Sequence, residues 1–312
     1  MAPFPFDRIW TIHEAASMAC LLEASASKIG NVTPMHSFED MAFSHFAASA
    51  TAISQTLQHL TSAADPNPIA SVGTMTLKSV QAMIKACGTN TYLGTILLFT
   101  PLAHAARQLR QNAANKIGAA SLQQAVSEAL SALTHADSAD VYESIRIASA
   151  GGLGSSDQHD VETSPAPESL VEAMGHVASF DAVARQYTNG FADIFGSLLP
   201  WLNEELSRSS TRPEVTVNDA ICRLQLRWMS HEPDGLIWRK LGKDAACEVQ
   251  SEAKRIWEVV RDRPNSTPCS NIPEVIALDR SLREHGNQRN PGTTADLIAA
   301  TLFVRLLMGS NP

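Results

Sequence analysis

The sequence is poor in charge, and in positive charge above all. Charged residues make up 18% of the 312 positions, and 24 Lys and Arg stand against 32 Asp and Glu, for a formal net charge of -8. Average proteins carry about 25% charged residues. Without a basic surplus the chain has no field to hold a nucleic-acid backbone or an anionic membrane. We expect neither partner, so any phosphate must be bound at a local site.

Cysteine pairs and long apolar runs are also scarce. The five cysteines are widely spaced and form no CxxC pair, which excludes a zinc ribbon and gives no sign of a disulfide scaffold. We therefore expect a reducing, cytoplasmic compartment. The most apolar runs, Tyr92–Ala106 and Leu297–Met308, contain polar residues and fall short of the roughly 18 uncharged residues of a membrane helix. They are typical of buried core helices.

Strand patterns and familiar catalytic motifs are missing as well. The sequence has no HExxH, GxSxG, GxGxxG or Walker motif. Apolar residues instead recur at helical spacing, as at Phe46, Ala50, Ile53 and Leu57. We predict an all-α fold, a single large multi-helix domain over residues 1–312. Helices are predicted near residues 37–60, 75–86, 91–110, 121–133, 139–148, 169–196, 216–229, 240–260, 273–285 and 293–308.

The segment from Lys28 to Asp40 brings a cation, a glycine turn, a histidine and two acids ahead of an apolar helix. Lys28 is suited to a phosphate, and Asp40 to Mg²⁺ or to proton transfer. Ser37, followed three residues later by Asp40, also has the form of a capping box. In that alternative Asp40 only helps to start a helix, and His36 is an ordinary surface imidazole.

The segment Asn290-Pro-Gly-Thr-Thr-Ala-Asp296 combines a tight turn with two threonines, and either Thr293 or Thr294 can cap the last helix. The free amides of such a helix start favour an anion such as phosphate. Asp296 would repel that phosphate unless Mg²⁺ lay between them, so we expect this acid to serve chemistry or metal binding rather than folding. We expect this segment and the Lys28–Asp40 segment to face one cavity. An ordinary capped helix is the alternative.

A third segment, Cys87–Gly94, precedes a long helix, and Asn90 and Thr91 are suited to cap it. Gly94 lies inside that helix, where it costs about 1 kcal/mol relative to alanine. Such a cost indicates that a group approaches the backbone there. A ligand and a closely packed neighbouring helix explain it equally well.

Two weaker signals lie in the middle of the chain. The glycine-rich stretch 151–154 lacks the P-loop pattern, and the acids after it, Asp157, Asp160 and Glu162, suit either a metal-contacting loop or a flexible linker. On the predicted helix 169–196, Arg185 lies one turn from Asp181. That spacing suits an ordinary salt bridge, or a phosphate ligand if Arg185 is buried opposite the loops.

In their order along the chain these segments resemble the triphosphoribosyl-dephospho-CoA synthase family. The likeness spans about residues 14–308, and its first and last motifs are the most specific. The motifs are Glu23–Asp40, Asn90-Thr-Tyr-Leu-Gly94, Gly151-Gly-Leu-Gly154, Asp181 with Arg185-Gln-Tyr187, Asp234-Gly-Leu-Ile-Trp-Arg-Lys240 and Asn290–Leu297.

Two motifs depart from the family's form. Ser27-Lys28-Ile29-Gly30 stands where the family has Pro-Lys-Pro-Gly. Asn90-Thr-Tyr-Leu-Gly94 replaces Thr-His-Lys-Gly, so the His and Lys of that motif have no counterpart. This form looks like the divergent branch of archaea and one-carbon-metabolising bacteria, which accompanies enzymes of tetrahydromethanopterin and methanofuran pathways.

The resemblance implies an all-helical transferase that acts on a phosphorylated ribosyl or nucleotide substrate in cofactor biosynthesis, here of tetrahydromethanopterin or methanofuran type. Characterised members use ATP and dephospho-CoA and release adenine. Breaking a ribosyl bond to a base passes through an oxocarbenium-like state, which needs a carboxylate, a proton donor and cations on the phosphates. A non-catalytic nucleotide-binding or scaffolding subunit of a cofactor-biosynthesis complex is the alternative, and either form is compatible with a homo-oligomer.

Site residues follow from the same resemblance and from the segments above. We assign catalysis to Asp40, Asp160 and Asp296, and Mg²⁺ binding to Asp40 and Asp296. Arg289 is a further candidate cation. Substrate or phosphate binding is assigned to Lys28, Gly30, Asn31, His36, Asn90, Thr91, Gly94, Arg185, Asn290, Gly292, Thr293 and Thr294.

Overall fold

The structure, a computed structural model, describes residues 5–61, 69–112, 117–148, 165–208, 216–263, 267–284 and 286–309. Over these residues it contains helices and no strand, which confirms the all-α prediction. Short π-helical and 3-10 turns cover Ile194–Leu198 and Cys269–Asn271. The α-helices of the described residues are α1 (Ile12–Ser25), α2 (Phe43–Leu60), α3 (Val72–Cys87), α4 (Leu93–Asn112), α5 (Ala119–Ser131), α6 (His135–Ala148), α7 (Leu170–Val177), α8 (Ala182–Asn189), α9 (Leu199–Arg208), α10 (Thr216–His231), α11 (Gly235–Leu241), α12 (Lys243–Val260), α13 (Pro273–Arg283) and α14 (Gly292–Met308).

Helix α14 runs through the centre of the main core. Every residue from Leu297 to Met308 is buried, which is the pattern of a helix surrounded by other helices. It packs against α1, α4, α8 and α10, and Phe303 stacks on Phe99 of α4 with ring centroids 4.4 Å apart. Burial of one such side chain contributes roughly 1.5–3 kcal/mol. The core therefore fixes the start of α14, and with it the position of Asp296.

A second apolar cluster joins α10, α11, α12 and α13, with members such as Ile237, Ile256 and Leu282. Ile29, from the segment after α1, belongs to the same cluster. Its backbone N–H also donates to Gln225 Oε1 of α10 at 2.6 Å. The segment that begins at Lys28 is therefore held against the C-terminal half of the chain by core packing.

Helix α1 has no counterpart among the helices predicted from the sequence. It begins with a capping box in which Glu14 N–H donates to Thr11 Oγ1 at 3.4 Å and Thr11 N–H donates to Glu14 Oε2 at 3.0 Å. Its buried face is built mostly of alanines, including Ala15, Ala16 and Ala19. These small residues give a weak amphipathic signal, and they let α1 pack closely on α2 and α14.

The predicted start of the next helix at Ser37 is wrong. Helix α2 begins at Phe43, and His45 Nδ1 accepts the N–H of Ala42 at 3.0 Å, in the manner of a cap. Asp40 lies outside the helix and is exposed. It is therefore not part of a capping box, and the alternative that gave it only a structural role at the helix start is excluded.

The single helix predicted over 169–196 is also wrong, because the chain turns twice within it. Asp181 ends the turn after α7 and caps α8, accepting the N–H groups of Val183 and Ala184 at 2.9 and 3.2 Å. Gly190, with a φ of 63°, then closes α8. The helix predicted over 240–260 corresponds to α12, which begins at Lys243, directly after Gly242 with a φ of 88° has ended α11.

All five cysteines are free thiols. Among the described residues, no helix combines the length and the apolar character needed to cross a membrane.

Candidate active site

A cavity of about 470 Å³ lies where the starts of α4, α11 and α14 meet the chain that follows α1. Its volume is in the usual range for a small-molecule site. The sequence segments that contribute to its wall are Asn31 to Asp40, Asn90 to Gly94, Asp181, Leu236 to Lys240 and Asn290 to Asp296. The prediction that the first and last of these segments face one cavity is confirmed.

The side chain of Asp296 extends from α14 toward the backbone of α4. Thr95 Oγ1 donates to Asp296 Oδ1 at 2.6 Å. A Cβ on Gly94 would lie 2.6 Å from Asp296 Cγ and would collide with Oδ2. Of the two explanations left open for Gly94, a ligand or a packed helix, the structure supports the second in a specific form: the approaching group is the carboxylate of a neighbouring helix.

The surroundings of Asp296 favour its protonated form. Burial raises the pKa of Asp296 to about 7, the hydrogen bond from Thr95 opposes this shift, and the negative charges of Glu23, Asp181 and Asp234 add to it. An acid whose pKa lies near the working pH can both give and take a proton. Such shifts are also concentrated at functional sites.

The side chain that caps α14 is that of Asp234, and not that of Thr293 or Thr294 as the sequence predicted. Its Oδ1 accepts the N–H groups of Leu236 and Ile237 at the start of α11. Its Oδ2 accepts both the N–H and the hydroxyl of Thr294 at 2.7 Å, at the start of α14. One buried carboxylate thus serves two helix N-termini. Thr294 is fully buried and does not line the cavity, whereas Thr293 and Gly292 do.

Lys28 does not reach the cavity. Its Nζ is buried, 3.1 Å from Glu23 Oε1, and it donates to the carbonyl of Val32 at 3.3 Å. Glu23 lines the cavity in its place, and burial raises the pKa of Glu23 while the charge of Lys28 lowers it. The proposed phosphate ligand is therefore the structural partner of a cavity-lining acid.

The turn after Lys28 serves to position Asn31. Gly30 has a φ of 69°, its N–H donates to Asp279 Oδ1 at 2.7 Å, and a Cβ there would lie 2.9 Å from Leu282. Asn31 lines the cavity and donates to the carbonyl of Pro291 at 3.4 Å. Gly30 is thus required by the backbone and by packing, and Asn31 is the residue of this pair that a ligand can contact.

The rest of this segment forms the exposed rim of the cavity. Asp40 lines it together with Phe38 and Met41, and the Asp40 side chain is exposed. His36 is exposed and does not line the cavity; its Nδ1 lies 3.4 Å from Thr33 Oγ1. The alternative that described His36 as a surface imidazole fits the structure.

Asn90 and Thr91 line the cavity where α4 begins. Asn90 Oδ1 accepts the N–H of Leu93 at 3.0 Å, so this side chain caps the helix as predicted. Thr91 Oγ1 donates to Ser49 at 2.7 Å. The next two residues in the wall are Tyr92 and Leu93, and neither carries a charge.

Two cations in the wall, Arg239 and Lys240, were not assigned a role from the sequence, although the motif that contains them was noted. Arg239 Nε is buried, lies 3.8 Å from Asp181 Oδ2, and has no hydrogen-bond partner within the described part of the chain. Lys240 Nζ donates to the carbonyl of Asn287 and to Asn290 Oδ1 at 2.9 and 3.1 Å. Burial lowers the pKa of Lys240, and the nearby charge of Asp40 raises it. Both could have been identified as candidate phosphate ligands from the sequence, because two adjacent cations stand at the end of the noted motif.

The other candidate cations lie away from the cavity. Arg185 Nε donates to Asp193 at 2.8 Å, and its Nη2 lies 3.6 Å from Glu232, so its salt-bridge partner is not the predicted Asp181. Arg289 pairs with Glu248 at 3.2 Å. The acids Asp157, Asp160 and Glu162, together with the glycine stretch 151–154, lie outside the described residues.

The donor set fits a Mg²⁺ ion that arrives with a nucleotide better than a resident metal. No group of three or more His, Cys, Asp and Glu side chains arranged to hold a metal occurs in the described ranges. Mg²⁺ at nucleotide sites is bound by one or two carboxylates together with substrate phosphates. Asp40 and Asp296, the predicted ligands, both line the cavity and are of the required type.

Comparisons with known proteins agree with this picture. The family model described as CitG, ATP:dephospho-CoA triphosphoribosyl transferase, matches residues 9–312. The crystal structure of a proposed triphosphoribosyl-dephospho-CoA synthase from Archaeoglobus fulgidus has a TM-score of 0.60 and 22% sequence identity, and the match covers 86% of this chain and 99% of that one. At this identity the structural likeness concerns the fold. No curated protein sequence matches the chain.

Proposed function

The chain belongs to the ATP:dephospho-CoA triphosphoribosyl transferase family, a family of transferases that use ATP, and we propose that the cavity around Asp296 is its active site. There the enzyme transfers the triphosphoribosyl group of ATP to an acceptor alcohol or amine and releases adenine. One observation carries the proposal. A carboxyl group with a pKa of about 7 and the cation pair Arg239–Lys240 line the same cavity.

The reaction needs one bond broken, one bond formed and one proton moved. The bond between C1 of the donor ribose and the adenine nitrogen breaks, and C1 bonds to the acceptor oxygen or nitrogen. The proton lost by the acceptor ends on the departing adenine, so no net proton is released. Asp296 is suited to carry this proton, because its ionised and protonated forms are both populated near pH 7. Its ionised form also stabilises positive charge that develops on the ribose.

The triphosphate requires cations, and Arg239 and Lys240 supply them. The buried Nε of Arg239 has no hydrogen-bond partner in the described chain, although it lies 3.8 Å from Asp181 Oδ2. An incoming phosphate would therefore satisfy a donor that is already desolvated. Asn290 and Asn287 hold the Lys240 ammonium in position beside it. Asp40, at the exposed rim of the same cavity, is the residue that would hold Mg²⁺, which would reduce its repulsion of the phosphates and leave Asp296 free to carry the proton.

Titration of ATP with Mg²⁺ into the purified protein tests the donor site. We expect saturable binding that weakens at least tenfold in Arg239→Met, because a charge-assisted contact to phosphate is lost. Arg289→Met is the matched control, since its guanidinium pairs with Glu248 away from the cavity, and it should bind ATP like the wild type. Equal binding by all three proteins would refute the donor site.

Release of adenine tests the reaction. The protein is incubated with ATP, Mg²⁺ and a small-molecule extract of the source cells, and adenine is quantified by chromatography. We expect adenine to accumulate with the wild type and at least a hundredfold more slowly with Asp296→Asn, because general acid–base catalysis contributes about 10²–10⁴. ATP binding without adenine release under any condition would leave a binding function only.

We further propose that the product enters cofactor biosynthesis of tetrahydromethanopterin or methanofuran type. The support is the resemblance of the Asn90-Thr-Tyr-Leu-Gly94 form of the motif to the branch that accompanies those pathways. Untargeted metabolite analysis of a deletion strain tests this. A strain that keeps normal levels of both cofactors would refute it.

A further inference from the structure

The charges that face the cavity are unevenly distributed. Among the described residues, the carboxylates of Glu23, Asp40, Asp181 and Asp296 line it together with the cations Arg239 and Lys240. Glu23 is paired with Lys28, and Asp181 with Arg239. Arg239 and Lys240 are neighbours in the chain, so they form a single basic corner.

The donor's triphosphate alone is sufficient to occupy this basic corner. A triphosphate carries about four negative charges, and two cations with one or two bound Mg²⁺ ions are the usual complement at such sites. Lys240 is in addition already hydrogen-bonded to Asn287 and Asn290. No cation among the described cavity-lining residues is left for a second polyanion.

The part of the wall formed by α2, α3, α4 and α6 is mostly apolar. Its side chains include Phe46, Ile84, Leu93, Leu97 and Ile147. A pyrophosphate placed against such a surface would lose its water without gaining a partner, which is strongly unfavourable.

Tyr92 and Leu93, at the start of α4, contribute to this apolar character. The Tyr92 hydroxyl donates to the carbonyl of Cys20 at 3.0 Å, so it is directed toward α1. Its ring meets Phe46 edge-on, with centroids 5.1 Å apart. The cavity therefore receives the aromatic and aliphatic parts of these residues.

Building on the proposed function, we infer that the acceptor carries no phosphate. It is a neutral or cationic alcohol or amine with an apolar body, seated against the wall formed by α2, α3, α4 and α6, and its nucleophilic group reaches Asp296. The lack of a further cation in the described lining disfavours a second polyanion, and the apolar wall accommodates the body of such a compound. Dephospho-CoA, which carries a pyrophosphate, is by this inference a poor acceptor for this chain.

Competition among matched probes tests the inference in protein already saturated with ATP and Mg²⁺. Benzylamine, benzyl alcohol and benzyl phosphate share one apolar body and differ in charge, and dephospho-CoA is the fourth probe. We expect benzylamine and benzyl alcohol to bind at least tenfold more tightly than benzyl phosphate, and dephospho-CoA to bind no better than benzyl phosphate. Dephospho-CoA or benzyl phosphate binding as tightly as the amine would overturn the inference.

A charge introduced into the wall provides a second measurement. Leu93→Lys should raise the affinity for dephospho-CoA at least tenfold and lower that for benzylamine, whereas Leu93→Met should keep the wild-type order. A Leu93→Lys protein that binds ATP but shows no gain for dephospho-CoA contradicts the inference. If the wild-type protein does not bind ATP at all, the proposed function is refuted instead. Failure of the inference and failure of the proposed function are therefore distinguishable.

Discussion

Replacement of Asp296 by asparagine should stabilise the protein, and the gain should grow with pH. In the folded protein the pKa of Asp296 is raised to about 7 from an ordinary value of 3.8, mainly by burial. Between these values the folded state holds a proton that the unfolded state releases, so the free energy of unfolding falls as the pH rises. Asparagine has no proton to release, and its amide oxygen can still accept the hydrogen bond from Thr95.

The size of the effect follows from the same pKa values. One pKa unit corresponds to about 1.4 kcal/mol, so the displacement from 3.8 to about 7 sets an upper limit of about 4 kcal/mol. Asp296 is only half-buried, and solvent screening reduces this limit. We expect Asp296→Asn to be about 1–3 kcal/mol more stable than the wild type at pH 8, and close to it at pH 4.5.

Urea unfolding of both proteins at pH 4.5, 6 and 8 provides the measurement. Asp40→Asn is the matched control, because Asp40 lines the same cavity but is exposed, and its stability relative to the wild type should change little with pH. A difference between Asp296→Asn and the wild type that stays constant from pH 4.5 to pH 8, or that favours the wild type at pH 8, would refute the reasoning.

Three further substitutions test the packing and polar contacts that build the site, each by urea unfolding. Gly94→Ala should lower the free energy of unfolding by about 1–2 kcal/mol despite the higher helix propensity of alanine. Gly196→Ala, where an added Cβ would meet nothing within 4 Å, should be neutral or stabilising. Equal effects of the two substitutions would count against the close approach of the Asp296 carboxylate to Gly94. Asp234→Ala removes the acceptor shared by two helix starts and should cost about 2–4 kcal/mol; a loss under 0.5 kcal/mol would show that water replaces it. Lys28→Met leaves the buried Glu23 carboxylate unpaired and should lower the free energy of unfolding by about 3–5 kcal/mol. The double variant with Glu23→Gln should regain part of this loss. A double variant less stable than Lys28→Met would contradict the ion pair.

The fold was largely predictable because its signals are local. Apolar residues at helical spacing identified α4 and α14 to within a few residues. Where the apolar face is made of alanines, as in α1, the pattern was too weak to be noticed. Where a polar residue turns the chain, as Asp181 does between α7 and α8, an unbroken apolar stripe concealed the break.

The site was predictable as a set of segments, and less so as a set of contacts. The energetic cost of Gly94 in a helix indicated a close approach, but its partner lies some two hundred residues further along the chain. Thr294 looked like a cap, yet the capping carboxylate comes from Asp234, sixty residues away. Lys28 looked free for a phosphate because nothing in the spacing shows that Glu23 is buried beside it. Contacts of this kind depend on tertiary packing, which one sequence does not specify.

The most direct test of the central claim is a crystal structure of the protein with ATP and Mg²⁺ in the absence of an acceptor. We expect the nucleotide inside the cavity, with phosphate oxygens within about 4 Å of Arg239 and Lys240 and C1 of the ribose facing Asp296. A nucleotide bound outside the cavity would contradict the assignment of the active site. So would a nucleotide whose adenine lies at Arg239 and Lys240 and whose phosphates are far from both.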